Sequence, residues 1–145
     1  MKIEIRYGAF DEALDIRRIV FMEEQGVSYE EEIDGRDDSS YHLVAFDSDE
    51  PIACARFYAG EPGQFIVGRV AVLKEHRQRG IGHVMMRAIE DWAVDHGVRE
   101  LRLSAQDPVI PFYLDLGYEL TDEPGFMDAN IPHHHMVLQL PSSRE

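Results

Sequence analysis

The run Val70-Ala71-Val72-Leu73-Lys74-Glu75-His76-Arg77-Gln78-Arg79-Gly80-Ile81-Gly82 decides the fold, with a helical stretch from His83 to His96 directly behind it. An apolar strand passes into a basic turn with two glycines, and that turn opens a helix. The first N–H groups of a helix have no acceptor within it, and the helix dipole adds positive potential there. Gly80 and Gly82 carry no Cβ, so phosphate oxygens can approach the main chain closely. Arg77 and Arg79 add charge around the same mouth. The stretch predicts a pyrophosphate cradle. A Walker loop is excluded, because the chain holds no Gly-Lys-Ser/Thr triplet. A dinucleotide fingerprint fits poorly, because its third small residue would fall on Met85.

Outward from the cradle, Met85, Ala88, Ile89, Trp92 and His96 trace one helical face, and Gly97 stands at the C′ position. Val98 to Ala105 reads as the next strand. Strand, crossover helix and strand in that order imply a parallel pair. Pro108 or Pro111 begins a short helix to Leu116, ended by Gly117. Tyr118-Glu119-Leu120 starts a strand, Asp122–Asn130 reads as a loop, His133–Leu140 is the final strand and Pro141–Glu145 a frayed tail. On the N-terminal side, Gln64–Leu73 leads into the cradle. Tyr41–Phe46 and Pro51–Tyr58 flank Asp47-Ser48-Asp49-Glu50 as a hairpin. Lys2–Tyr7 alternates as a first strand, and Phe10, Ala13, Leu14, Arg17, Val20 and Phe21 recur at helical spacing, with Gly26 as a stop. Gln25–Ser39 reads as a long acidic loop, and loops of that length are functional or disordered.

With 145 residues, 44% of them hydrophobic, the chain is expected to form one domain over 1–145 with a sizeable core. No apolar run approaches the ~20 residues of a membrane helix, and the N-terminus shows no signal-peptide core, so a cytoplasmic protein with no membrane partner is expected. A single cysteine, Cys54, excludes an internal disulfide and reads as a small buried filler. The formal charge of −14 is unevenly spread. Glu23–Asp38 holds eight acids and one base, whereas Ile66–Ile89 holds five bases and one acid. A basic island in an acidic chain suits a polyanionic cofactor and a cationic substrate nearby, although a solvated acidic surface explains many of these charges as well. The overall charge argues against nucleic acid as a partner.

Arg77-x-x-Gly80-x-Gly82 after a Val-Ala-Val strand resembles motif A of the GCN5-related N-acetyltransferases (GNATs), and Pro111-Phe112-Tyr113-Leu114-Asp115-Leu116-Gly117-Tyr118 resembles their motif B. More narrowly, Phe21-x-x-Glu24-Gln25-x-Val27, Glu31-x-x-Asp34-x-x-Asp37, Ala55-Arg56, Ala105-Gln106 and Ile131-Pro132-His133-x-x-Met136 are similar to the ElaA-like subgroup. The resemblance implies an α/β fold: a mixed sheet of six or seven strands, splayed at the fourth and fifth, flanked by about four helices. It also implies acetyl-CoA as co-substrate and an amine acceptor. The main chain of Val70 and Val72 would bond the pantetheine arm, the amides of Arg77, Gln78, Arg79, Gly80, Ile81, Gly82 and His83 would wrap the pyrophosphate, and Tyr113 would protonate the departing thiolate. Ser104 and His134-His135 depart from the subgroup pattern.

Amine acetylation needs a neutral amine, yet a lysine-like amine of pKa ~10.4 is almost wholly protonated at neutral pH. Glu24, Glu31, Asp34 and His133 are candidates to take that proton, directly or through water. Glu31 and Asp34 would also anchor a cationic acceptor, and Arg56 could pair with the acidic loop or with substrate. The Val72 amide is the natural stabiliser of the oxyanion. His133 and His135 share one face of a strand while His134 faces away, so a zinc site is not expected. A homodimer could form through an exposed edge strand. The alternative to an enzyme is a module that binds acyl-CoA without turning it over.

Overall fold

The computed structural model describes residues 2–141; the tail expected at Pro141–Glu145 lies outside them except for Pro141. The strands are β1 (Ile3–Tyr7), β2 (Tyr41–Asp47), β3 (Glu50–Ala59), β4 (Gln64–Val72), β5 (Glu100–Gln106), β6 (Glu119–Leu120), β7 (Phe126–Asp128) and β8 (Ile131–Gln139). The helices are α1 (Phe10–Arg17), α2 (Tyr29–Glu32), α3 (Ile81–Asp95) and α4 (Ile110–Asp115). The strands form one mixed sheet in the order β1-β2-β3-β4-β5-β8-β6, with β7 also on β8. The expected mixed sheet with four helices is present. The strand number is eight rather than six or seven, because the stretch expected to be a loop, Asp122–Asn130, contains β7, a three-residue strand pairing with Ile131–His133.

The chain divides into two compact units. The first comprises the residues up to Tyr58 and Gly68–Ile89. In it, β1 pairs antiparallel with β2, and β2 with β3. The β2–β3 hairpin turns at Ser48 and Asp49, both at positive φ (50° and 74°), which suits the right-handed twist of paired strands. Ala13, Ile16 and Val20 pack with Val44, Phe46, Cys54 and Ala71 as one buried cluster. Each large apolar side chain buried there contributes roughly 1.5–3 kcal/mol. The helix beginning at Phe10 does not continue as α-helix to Gly26: from Arg18 to Glu24 it widens to π geometry. Gln25–Ser39 is not an unstructured loop either, since it contains α2 and a 3-10 turn at Asp37–Ser39.

The second unit comprises Ala59–Val67 and the residues from Glu90 onward. Here β4 and β5 pair in parallel, from Gln64 against Glu100 to Val67 against Leu103, and the ladder ends there although β4 runs on to Val72. On its other side β5 pairs antiparallel with β8 along its full length, Glu100–Gln106 against Gln139–His133. Leu101, Leu103, Ala105 and Met136 are buried along this pair.

Candidate active site

In the first unit, β4 leads through a 3-10 turn at Lys74–His76 into the bend before α3. Gln78 and Gly80 adopt positive φ (62° and 81°), and this reverses the chain so that the helix can begin at Ile81. A Cβ on Gly80 would meet nothing within 4 Å, so glycine is required there for its backbone conformation. Gly82 and His83 follow in the first turn, and Ile81 is buried as its anchor. The 15-residue α3 thus presents its N-terminal amides behind a basic bend.

The two arginines of that bend are engaged. The Arg77 Nη atoms donate to both carboxylate oxygens of Glu24 at 2.7 Å, and its Nε donates to the Val72 carbonyl at 2.8 Å. Arg79 Nη1 lies 2.7 Å from Nδ1 of His76 and Nη2 lies 3.6 Å from the Asp47 carboxylate. Glu24 ends the π segment, and its hydrogen bonds with Arg77 hold its carboxyl below the usual range.

The acidic segment is organised by three arginines. Arg17, 1% exposed, donates to both oxygens of Glu32 (3.1 and 2.9 Å) and to Asp37 (2.8 and 3.2 Å). Arg56, also buried, holds Asp34 through both Nη atoms and reaches Asp37 at 3.0 Å. Arg69 donates to the Glu32 carboxylate at 2.6 Å and to the Glu32 carbonyl at 2.8 Å. Three guanidinium groups therefore meet three carboxylates, and the cluster is formally neutral. Burial opposes ionisation of Asp34, but its hydrogen bonds to Arg56 and to the Arg36 amide prevail and hold its carboxyl well below the carboxylate range. Glu31 lies apart from this cluster: Ser28 Oγ accepts the Glu31 N–H while the Glu31 carboxylate accepts the Ser28 N–H, a reciprocal cap on α2.

In the second unit, α4 positions Tyr113. Pro111 sits in the first turn of the helix, and the Tyr113 carbonyl accepts the N–H groups of both Leu116 and Tyr118, a closure that Gly117 permits at φ 102°. Tyr113 is 7% exposed, and burial pushes its phenol above its ordinary value. His133 is buried on β8, with Nδ1 2.7 Å from the Ile131 carbonyl. A carbonyl can only accept, so Nδ1 is the donor in this bond, and in the neutral ring the lone pair then falls on Nε2. His135 faces Ser104 Oγ at 3.0 Å, and Phe126 stacks on both His133 and His135. His134 points elsewhere, with Nδ1 2.6 Å from Asp107. Among the described residues, no three His, Cys, Asp or Glu side chains group as a metal would require.

Of the predicted residues, the fold brings together Glu24 with Arg77 and Asp34 with Arg56. Sequence reasoning missed the partners Arg17, Glu32, Asp37 and Arg69 as members of one network. The legible signal was Arg17, an arginine on an otherwise apolar helical face, since a charge placed there must find a buried counter-charge.

This architecture has many counterparts. The model of the acetyltransferase (GNAT) family matches residues 9–118. YjcF of Bacillus subtilis, described as an uncharacterized N-acetyltransferase, is 39% identical over 126 residues, covering 87% of this chain and 89% of that protein. The crystal structure of a Lactobacillus plantarum protein superimposes with a TM-score of 0.89 at 28% identity, covering 97% of this chain and 100% of the other. Escherichia coli ElaA follows with a TM-score of 0.82 at 25% identity, over 94% of this chain and 99% of its own. The chain belongs to the GNAT family. It is an N-acetyltransferase dependent on acetyl-CoA.

Proposed function

We propose that the protein acetylates a primary amine, of a small molecule or of a peptide or protein, by direct attack of the neutral amine on the thioester of acetyl-CoA. The observation that carries this reading is the bend from Arg77 to Gly80, which delivers the N-terminus of a long helix immediately after an apolar strand. Such a terminus suits the diphosphate of the coenzyme. The amides from Arg77 to His83 would take the pyrophosphate, and the main chain of Val70 and Val72, beyond the last β4 residue paired with β5, would take the pantetheine arm. The Val72 amide would face the developing oxyanion.

At pH 7 only about one in 2,500 amines of pKa ~10.4 is neutral, so a base is worth a large factor. Glu24 and Asp34 are weak bases, because arginines stabilise their charged forms. Glu31 is occupied in capping α2. His133 keeps a lone pair on Nε2 and is the stronger candidate for taking the proton. Tyr113 would serve the leaving group. Proton transfer from a phenol of pKa ~10 to a thiolate whose acid has pKa ~8.5 is uphill by roughly 2 kcal/mol, and burial makes it steeper. Tyr113 therefore acts by hydrogen-bonding the sulfur as charge develops, and the amine supplies the net proton. Glu31, Asp34 and Arg56 remain the residues proposed for the acceptor, the latter two as one neutralised pair.

The test is incubation with acetyl-CoA and a panel of primary amines, read as free thiol and as products heavier by one acetyl group. Coenzyme binding without thiol release from any amine would favour an acyl-CoA-sensing module. Absence of coenzyme binding would end both readings.

A further inference from the structure

We propose that Glu24 and Arg77 are positioning residues for acyl transfer: Arg77, oriented by Glu24, holds the Val72 carbonyl and so fixes the main chain at the end of β4. This rests on the reading of that main chain as the receiver of the thioester. The argument is geometric. The peptide between Val72 and Leu73 is held on both sides, its carbonyl by Arg77 Nε at 2.8 Å and its N–H by the Ile52 carbonyl of β3 at 2.9 Å. A planar peptide restrained at both ends has little freedom to rotate, and it restrains the adjoining Val72 amide through a single residue. The guanidinium can hold this pose because its forked edge meets both oxygens of Glu24 at 2.7 Å. A group so occupied is not presented to a pyrophosphate, and a carboxylate so occupied is not poised to accept a proton.

Glu24 also sits where the π segment ends, and that wider coil sets which way its side chain leaves the backbone. The two segments joined here are 53 positions apart, so the contact links the end of the first long helix to the cradle. Both side chains are about one-third exposed (37% and 36%), and exposed ion pairs add little to stability. Loss of this pair should therefore appear in turnover and leave the melting temperature nearly unchanged.

The test compares Glu24→Gln, Arg77→Lys and the double variant. Each single variant is expected to lower kcat about tenfold, as a small misplacement of a reacting group does. The coenzyme A Kd from calorimetry should move less than about threefold, and the double variant should be no worse than either single, since both break one unit. The pH–rate profile should keep its shape, and amide exchange at Leu73 should quicken in both. A tighter Kd in Glu24→Gln with a weaker one in Arg77→Lys would overturn the proposal and make Arg77 a cradle cation restrained by Glu24. Loss of the acidic limb of the pH profile in Glu24→Gln alone would overturn it in favour of Glu24 as the base. Unchanged kcat and unchanged exchange in both variants would also overturn it. If the unaltered protein releases no thiol with any amine, the acyltransfer reading fails, while exchange at Leu73 still decides whether the pin exists.

Discussion

Arg17 occupies the core-facing side of α1 beside Ala13 and Ile16, and its charge is accepted there only because Glu32 and Asp37 close around it. Arg17→Met fills similar space but leaves Glu32, 3% exposed, with less compensation. The expected loss is on the order of 3 kcal/mol, measurable by urea unfolding. Cys54 behaves oppositely. It is enclosed, and burial pushes its thiol up to about 12, so iodoacetamide at pH 8 should leave it unmodified until the protein unfolds. At Tyr113 the hydroxyl is the only atom at issue. Tyr113→Phe should lower kcat by roughly tenfold to a hundredfold while the coenzyme A Kd stays within about twofold, by steady-state kinetics and calorimetry. With its phenol raised, wild-type turnover should show no loss from phenol ionisation up to pH 10.

At the scale of elements, legibility followed punctuation. The cradle, the hairpin and motif B are bounded by glycines, prolines and short polar turns, and each folds within a few residues of its own sequence. Gln25–Ser39 was opaque for the opposite reason. Its helix α2 is only four residues long, and what holds the segment in place comes from Arg17, Arg56 and Arg69, on three other elements. Ser28-x-x-Glu31 carries a readable cap signature, but one turn of helix gives no periodicity to go with it. The π segment has no sequence signature of its own, since Val20 and Phe21 repeat as they would in an α-helix. At the site, the pattern revealed carboxylates of the expected type and offered the acidic segment as one of two partners for Arg56, which pairs there with Asp34, but it hid that Glu24 is paired with Arg77. Ser28→Ala should cost about 1 kcal/mol, the usual worth of an N-cap, read as a lower urea midpoint with unchanged slope.

For the whole molecule, the acidic segment's own balance of eight acids to one base overstates the field around it, because three guanidinium groups from other elements neutralise three of its acids. The pH response follows from the same pairs. Asp34 and Asp37 are held below their ordinary values in the folded chain, so the unfolded chain binds more protons as pH falls below ~4. Their contribution is fully present above that range and is lost as pH falls through the folded values. Thermal unfolding should therefore show a flat melting temperature from pH 7 to about 5 and a steep fall below 4.

Arg69 stands within β4 at φ 51°, a left-handed posture that costs a non-glycine residue roughly 1–3 kcal/mol. Its guanidinium is anchored to Glu32, so the bend in this strand and the docking of the acidic segment are two faces of one equilibrium. Whatever loosens the segment, whether acid, loss of Glu32 or competing ions, removes the compensation for that posture. The strand then has reason to straighten just upstream of the residues proposed to hold the coenzyme.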